Sequence, residues 1–177
     1  MRAAVFHTDT RKLSVEAVPD PTPGEGQVVI KVHRCGICGS DLHMAEGHVQ
    51  SFEDGAIPGH ELAGEVVALG KGAQGVAVGD RVAVLPYLTC GECVACRIGD
   101  GMGCANFSFF GSGPGGGYAE YALTNPGWCV QLPKSLGFDW MRRRGRRISN
   151  GGPERFSARP LSGIHKPKQG AISWAAL

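Results

Sequence analysis

The sequence predicts a mainly β fold with few helices, arranged as a partly open barrel and followed by an unstructured basic tail. Three observations support this prediction. Short runs rich in Val and Ala alternate with glycine- and proline-containing turns over residues 3–139. A single segment in this region has helical character, and the composition changes sharply near Phe138. The hydrophobic fraction of 42% is that of a globular protein.

Seven strands are predicted between turn segments such as PDPTPGEG, GKGAQG and VGD. In chain order they are Ala3–Phe6, Leu13–Val18, Val28–Val32, Leu62–Leu69, Arg81–Leu85, Tyr118–Leu123 and Cys129–Leu132. One short helix is predicted within Cys38–Gly47, where Ser40 is a suitable N-cap for Asp41–Glu46. Many short strands with few helices favour a barrel-like domain over residues 1–139.

The charge is divided unevenly along the chain. The net charge is +2, but residues 1–141 hold 9 Lys and Arg against 15 Asp and Glu, whereas residues 142–177 hold 9 against 1. Residues 140–177 are dominated by Arg, Gly, Ser and Pro and have no helical or alternating periodicity, so we expect them to be unstructured. Out-of-frame translation of a GC-rich gene is the explanation that we favour for this segment.

The basic tail also raises the possibility of a zinc protein that binds nucleic acid. The MRRRGRR run lacks interleaved aromatic residues and any known binding module, so nucleic acid is not the expected partner. No stretch has the length and apolarity of a membrane span, and the N-terminus lacks the apolar region of a secretory signal. We therefore expect a cytoplasmic protein, in which the cysteines at short, regular spacing are metal ligands rather than disulfide partners, and Cys35 and Cys129 are small core residues.

The strongest motif is a loop of four cysteines with the spacing C-x2-C-x2-C-x7-C. Its members are Cys90, Cys93, Cys96 and Cys104. Four thiolates can surround Zn²⁺ as a tetrahedron and leave no position for a substrate, so the predicted site is structural. The main alternative for such a set is an iron–sulfur cluster.

A second candidate site is divided between two segments, CGICGSDLH and GHELAG. They contribute the thiol of Cys38 and the imidazole of His60, both of which are common zinc ligands. The alternative for each residue taken singly is a buried core side chain.

These segments together resemble a known family. GHELAGEVVALGKGA, CGICGSDLH and the four-cysteine spacing are similar to motifs of the medium-chain zinc-dependent alcohol dehydrogenases, a superfamily that includes polyol and threonine dehydrogenases. The resemblance covers residues 1–139 and implies a GroES-like catalytic domain. It implies that Cys38 and His60 are catalytic zinc ligands and that Glu61 is an acidic neighbour able to ligate the metal. It also assigns the four-cysteine loop to a structural zinc, and Ser40 and His43 to a proton relay.

The activity implied by the resemblance is oxidation of an alcohol or polyol by hydride transfer to NAD(P). The family's third catalytic zinc ligand and its Rossmann domain do not follow residue 139 in recognisable form. Two stretches match G-x-G-x-x-G, at residues 70–75 and 111–116, but each runs into a predicted strand, so we interpret both as turns. We therefore assign no dinucleotide-binding residue and expect this chain alone to be inactive. The alternative is a non-catalytic zinc-binding fragment.

Overall fold

Strands dominate the part of the chain that the computed structural model describes, which is residues 1–48, 52–112, 115–138 and 171–172. The strands are β1 (Arg2–His7), β2 (Lys12–Ala17), β3 (Val28–Gly36), β4 (Glu61–Leu69), β5 (Arg81–Val84), β6 (Tyr87–Leu88), β7 (Ser108–Phe109), β8 (Tyr121–Thr124), β9 (Cys129–Gln131) and β10 (Ala171–Ile172). The helices are α1 (Gly39–Glu46) and α2 (Val94–Arg97), with short 3₁₀ turns at Gly101–Gly103 and Pro126–Trp128. The predicted mainly β fold class is confirmed.

The central sheet has six strands in the order β10–β3–β4–β5–β9, and β8 also pairs with β3. The β3–β4 pair is the longest, running antiparallel from Val28 opposite Leu69 to Gly36 opposite Glu61. Its register shifts between Val32 and Arg34, so His33 lies at a bulge. β3 ends at Gly36, shortly before α1, and Glu61 at the start of β4 lies opposite Gly36. The pairing therefore brings the beginning of α1 close to residues 60 and 61.

The hairpin of β1 and β2 packs beside this sheet. Its inner strand is buried over residues 3–6, whereas most of β2 is exposed. β1 joins the rest of the barrel where the Ala4 N–H donates to the Tyr118 carbonyl at 2.7 Å and Ala3 pairs with Ala119. For this reason the predicted strand Tyr118–Leu123 is divided: its first residues pair with β1, and β8 pairs with β3.

The core lies between the strands and is made mainly of aliphatic side chains, with a few aromatic ones. Its largest fully buried members include Phe6, Ile30, Leu62 and Val66. Full burial of an aliphatic side chain of this size contributes about 1.5–3 kcal/mol to folding. Removal of Val and Leu side chains from water therefore accounts for much of the stability of the barrel.

Helix α1 begins two residues earlier than predicted. Its N-cap is Cys38 rather than Ser40, because the Cys38 N–H donates to the Asp41 carboxylate at 2.8 Å and fixes the first turn around it. The helix ends at Gly47, whose left-handed conformation (φ 76°) is accessible to glycine without strain.

The predicted unstructured tail falls almost wholly outside the described residues. Ala171–Ile172 are an exception and a correction, because they form β10, antiparallel to Cys35–Gly36 on the edge of β3. An edge strand has unpaired backbone groups that attract such pairing. In the described ranges, no helix has both the length and the apolarity needed to cross a membrane.

Candidate functional site

The beginning of α1 is built around one buried carboxylate. Asp41 is 5% exposed, and its Oδ2 accepts hydrogen bonds from the Cys38 N–H at 2.8 Å and from the Tyr118 hydroxyl at 2.9 Å. The Tyr118 hydroxyl also lies 3.2 Å from the Gly36 carbonyl oxygen. Burial, followed by the charge of Asp41, raises the pKa of Tyr118 strongly, so this hydroxyl remains a donor. Asp41 is therefore held in place on one side by both a backbone and a side-chain donor.

The other oxygen of Asp41 faces the imidazole of His60. His60 is 5% exposed, and its Nδ1 lies 3.3 Å from Asp41 Oδ1. This separation suits an ion pair with a protonated ring, although the two groups are not aligned for a hydrogen bond. Burial lowers the pKa of His60, but Asp41 and Cys38 outweigh it, and the pKa lies above its ordinary value. With Nδ1 toward Asp41, the nitrogen available to a metal is Nε2.

Gly59 allows the chain to place His60 at this point. Its φ of 97° lies in the left-handed region, and an added Cβ would come within 2.6 Å of the Tyr118 ring and 2.9 Å of Cys35 Sγ. The ring of Phe109 covers the imidazole, with centroids 4.5 Å apart at an angle of 55°. His60 is therefore fixed by its backbone, by Asp41 and by an aromatic side chain.

Three potential metal ligands converge beside this imidazole. One donor atom each from Cys38, His60 and Glu61 lies within 4.8 Å of the others. The Glu61 carboxylate packs against the backbone of Gly36, where an added Cβ would lie 2.5 Å from Oε2. A sulfur, an imidazole nitrogen and a carboxylate oxygen form a ligand set typical of zinc sites that keep an open position for substrate. The chemistry of these donors fits a catalytic zinc ion.

The two residues of the predicted proton relay lie on successive turns of α1. Ser40 Oγ is 3.5 Å from His60 Nε2, so its hydroxyl lies beside the point where the three ligands converge. His43 is exposed, and its ring is within hydrogen-bonding distance of His48, with Nδ1 atoms 3.5 Å apart. The structure thus places Ser40 at the inner end of α1 and His43 toward solvent, and the transfer between them stays a prediction.

The four-cysteine loop brings its sulfur atoms together around α2. Cys90 Sγ lies 3.9 Å from Cys96 Sγ and 3.6 Å from Cys104 Sγ. Zinc–sulfur bonds of 2.3 Å in a tetrahedron place neighbouring sulfurs about 3.8 Å apart, so these separations suit a shared ion. All four ligand atoms lie within 4.8 Å of one another.

Backbone amides of the loop favour ionised thiols. The Cys90 N–H donates to Cys104 Sγ at 3.3 Å, and the Cys93 N–H donates to Cys90 Sγ at 3.4 Å. Backbone donors, first that of Cys96, lower the pKa of Cys93 to about 6. Desolvation, followed by the neighbouring sulfurs, raises the pKa of Cys96 to about 12. Four thiolates this close repel one another, so they need a cation to remain ionised together.

Two residues of the site were not identified from the sequence. The sequence predicts Asp41 only as the first residue of a short helix, and Tyr118 only as the beginning of a strand. Their contact joins residues 77 positions apart. The spacing of Cys38 and Asp41 in CGSD was the available signal, since a residue three positions after an N-cap can bond back to it.

Comparison with known proteins places this site in context. Residues 24–134 match the family described as the alcohol dehydrogenase GroES-like domain. The chain is 39% identical over 143 residues to sorbitol dehydrogenase of Bacillus subtilis. The matched region covers 78% of this chain and 40% of that protein. It is 44% identical over 119 residues to L-threonine 3-dehydrogenase of Pyrococcus horikoshii, covering 66% of this chain and 34% of the relative.

Solved structures give the same result. An alcohol dehydrogenase from Escherichia coli CFT073 in complex with NADH superposes with a TM-score of 0.72 at 34% identity, covering 79% of this chain and 40% of the other. A cobalt- and zinc-bound thermostable alcohol dehydrogenase from Pyrobaculum aerophilum gives a TM-score of 0.71 at 35% identity, covering 78% and 42%. The chain thus spans about two fifths of the length of these relatives.

Proposed function

The chain belongs to the family of alcohol dehydrogenases with a GroES-like domain, and we propose that it supplies the catalytic zinc domain of an oxidoreductase that oxidises an alcohol or polyol with NAD(P). The observation that carries this proposal is the convergence of Cys38, His60 and Glu61 with Asp41 behind the imidazole. The chain spans about two fifths of the length of these relatives, and the proposal concerns the zinc chemistry of this part.

Cys38, His60 and Glu61 would hold the catalytic zinc. When bound, zinc supplies Lewis acidity that makes a substrate hydroxyl easier to deprotonate, much as it lowers the pKa of bound water to about 7. Asp41 keeps the imidazole oriented with Nε2 toward the metal position, and it stabilises positive charge on the ring. Phe109 covers the ring from the adjacent β7 and limits the access of water.

The proton released by the substrate needs a path out of this buried site. Ser40 Oγ is the first candidate acceptor, because it lies 3.5 Å from His60 Nε2 and can donate its own proton as it receives another. His43, one turn further along α1 and exposed, can pass the proton to solvent, since an imidazole exchanges protons near neutral pH. The helix would thus connect the buried end of the path to the surface.

The four-cysteine loop has a different role in this proposal. Its four sulfurs would fill the coordination sphere of a second zinc and leave no position for substrate. The segment exposes its apolar side chains Val94, Ile98 and Met102, so it buries little surface of its own. The metal would therefore replace a hydrophobic core in ordering this loop.

Zinc stoichiometry of the full chain tests the catalytic assignment. We expect the site of Cys38, His60 and Glu61 and the four-cysteine site to hold one zinc ion each, with the four-cysteine site the tighter of the two. Cys38→Ser should lose the weaker zinc and keep the tighter one, measured by equilibrium dialysis and metal analysis. Cys129→Ser is the matched control, because Cys129 is a half-buried thiol outside both ligand sets. Equal zinc binding by Cys38→Ser and the unmodified chain would refute the proposed catalytic site.

A further inference from the structure

A third group of metal-ligating side chains lies on the surface at the C-terminal end of α1. His43 and Glu46 belong to the last turns of the helix, and His48 follows its cap. His48 Nδ1 is 3.5 Å from His43 Nδ1 and 3.2 Å from Glu46 Oε2. One ligand atom from each residue lies within 4.8 Å of the others, and all three side chains are exposed. None of its three residues belongs to the ligand sets of the two zinc sites described above.

The backbone brings these side chains together. Residues three apart on a helix share a face, which places Glu46 beside His43. The left-handed Gly47 then turns the chain back, and the His48 N–H donates to the His43 carbonyl at 3.0 Å. As a result the two imidazole rings lie 5.7 Å apart between centroids. The arrangement is fixed by a helix cap and does not depend only on side-chain rotamers.

The separations suit a metal ion. Bonds of about 2.0–2.2 Å from a metal to nitrogen or oxygen in a tetrahedron place neighbouring ligand atoms about 3.3–3.6 Å apart. The observed distances of 3.2 and 3.5 Å lie close to this range. Two imidazoles and a carboxylate select zinc, nickel, cobalt or copper rather than calcium or magnesium, which prefer oxygen ligands. Exposure to solvent leaves water available for the remaining position.

Local charges act in both directions on a cation here. The helix C-terminus and the Glu46 carboxylate attract it. Arg11 opposes it, since this guanidinium packs across the end of α1, where its Nε donates to the Ala45 carbonyl at 3.0 Å. We propose that His43, Glu46 and His48 form a divalent transition-metal site, distinct from the catalytic and structural zinc sites, whose affinity Arg11 weakens.

This site shares His43 with the proposed proton path. A metal on His43 Nδ1 would occupy the lone pair that the ring needs to accept a proton at that atom. If the proposed function holds, occupancy would therefore inhibit oxidation of the substrate. The binding itself rests only on the cluster and can be measured without any turnover.

Nickel binding to the full chain, supplied with one equivalent of zinc for each of the two zinc sites and no excess, tests the proposal. Isothermal titration calorimetry with Ni²⁺ at pH 7.5 should show one Ni²⁺ bound per chain, and metal analysis should show no release of zinc. His48→Gln and Glu46→Gln should each weaken this binding at least tenfold. His7→Gln is the matched control, because His7 is a surface histidine beside a carboxylate, with Nε2 2.6 Å from Glu16 Oε1. Arg11→Gln should tighten binding several-fold.

Two results would overturn the proposal: nickel affinity unchanged by His48→Gln, or nickel uptake matched by an equal loss of zinc. Thermal unfolding of each variant confirms that the exposed substitutions leave the fold intact. Failure here is distinguishable from failure of the proposed function. Cys38→Ser reports on the catalytic zinc alone, whereas His48→Gln reports on the surface cluster alone.

Discussion

Asp41 Oδ1 lies 3.3 Å from His60 Nδ1, and both side chains are almost wholly buried. The pair joins the first turn of α1 to the beginning of β4, which are the two segments that carry the candidate catalytic ligands. A carboxylate behind a metal-binding imidazole fixes the ring and raises its basicity. The arrangement thus links the folding of the barrel directly to the geometry of the site.

Replacing Asp41 with Asn should weaken the catalytic zinc without affecting the structural one. The amide keeps the shape of the side chain but removes the charge behind His60, so we expect a 10- to 100-fold loss of zinc affinity at this site. Competition with a chromophoric chelator measures it. Asp9→Asn, in the turn between β1 and β2, is the control and should change nothing. Unaltered affinity in Asp41→Asn would show that the carboxylate does not support the ligand.

Replacing Tyr118 with Phe should destabilise the domain. The hydroxyl donates to the Asp41 carboxylate at 2.9 Å inside the protein, and a hydrogen bond to a charged group contributes about 1.5–3 kcal/mol. We expect a loss of this size in the free energy of unfolding, measured with urea at saturating zinc. Tyr121→Phe on β8 is the matched control, with an expected change within about 0.5 kcal/mol. Similar losses in both variants would mean that the Tyr118 hydroxyl has no special role.

Replacing Cys96 with Ser should release the structural zinc. Three remaining thiols close the tetrahedron poorly, and the loop from Cys90 to Cys104 exposes most of its apolar side chains. We expect one zinc ion fewer per chain and rapid proteolysis within this loop. Cys129→Ser should retain both the metal and the protease resistance. Protection of the loop in zinc-free Cys96→Ser would show that the chain orders it without metal.

Acid should destabilise the domain partly through His33. Burial, above all, lowers the pKa of this imidazole, with smaller contributions from Lys31 and the nearby arginines, while Glu65 opposes the shift. The unfolded chain therefore takes up a proton near the ordinary pKa of about 6.5, before the folded one does. His33 costs no stability above that pH, and stability is lost as the pH falls from about 6.5 toward the folded pKa.

Comparison with His33→Gln isolates this contribution. Urea unfolding between pH 7.5 and 5.5 should show a smaller acid loss in the variant than in the unmodified chain. Glu65→Gln should have the opposite effect, because it removes the neighbouring charge that favours the protonated ring. Parallel pH profiles for the unmodified chain and His33→Gln would exclude His33 as a source of acid sensitivity.

Local sequence patterns predicted β1, β2 and β4 well, whereas β3 runs four residues beyond its predicted end at Val32. β1 is longer than predicted by one residue at each end, and β4 by one residue at its start. The agreement is close because the alternating or continuous apolar residues end at clear glycine and proline turns. The two-residue pair β6–β7 was not predicted. It joins Leu88 to Ser108, across the whole four-cysteine loop, and two-residue strands have too little pattern to detect.

The candidate site shows the same limit. The spacing of cysteines in one loop determines which thiols can meet, so local sequence was sufficient for that set. The role of Asp41 depends on Tyr118 and His60, which reach it only through the pairing of β3 with β4 and the packing of the segment before β8. Sequence spacing does not contain that information. The helix cap at Cys38 was missed for the same reason, since serine is the more common N-cap and the buried carboxylate decides otherwise.

Residues 1–177 alone should not oxidise alcohols. Hydride transfer needs a nicotinamide held against the substrate, and a dinucleotide site requires a glycine-rich turn that opens a helix. In the described ranges, the turn at residues 70–75 is followed by β5, and β8 is the first strand or helix after residues 115–116. We expect no change in nicotinamide absorbance with sorbitol, threonine or simple alcohols and either NAD or NADP, even with both zinc sites loaded. Turnover that disappears in Cys38→Ser would contradict this expectation and would mean that this chain binds the dinucleotide by a route that its glycine-rich turns do not reveal.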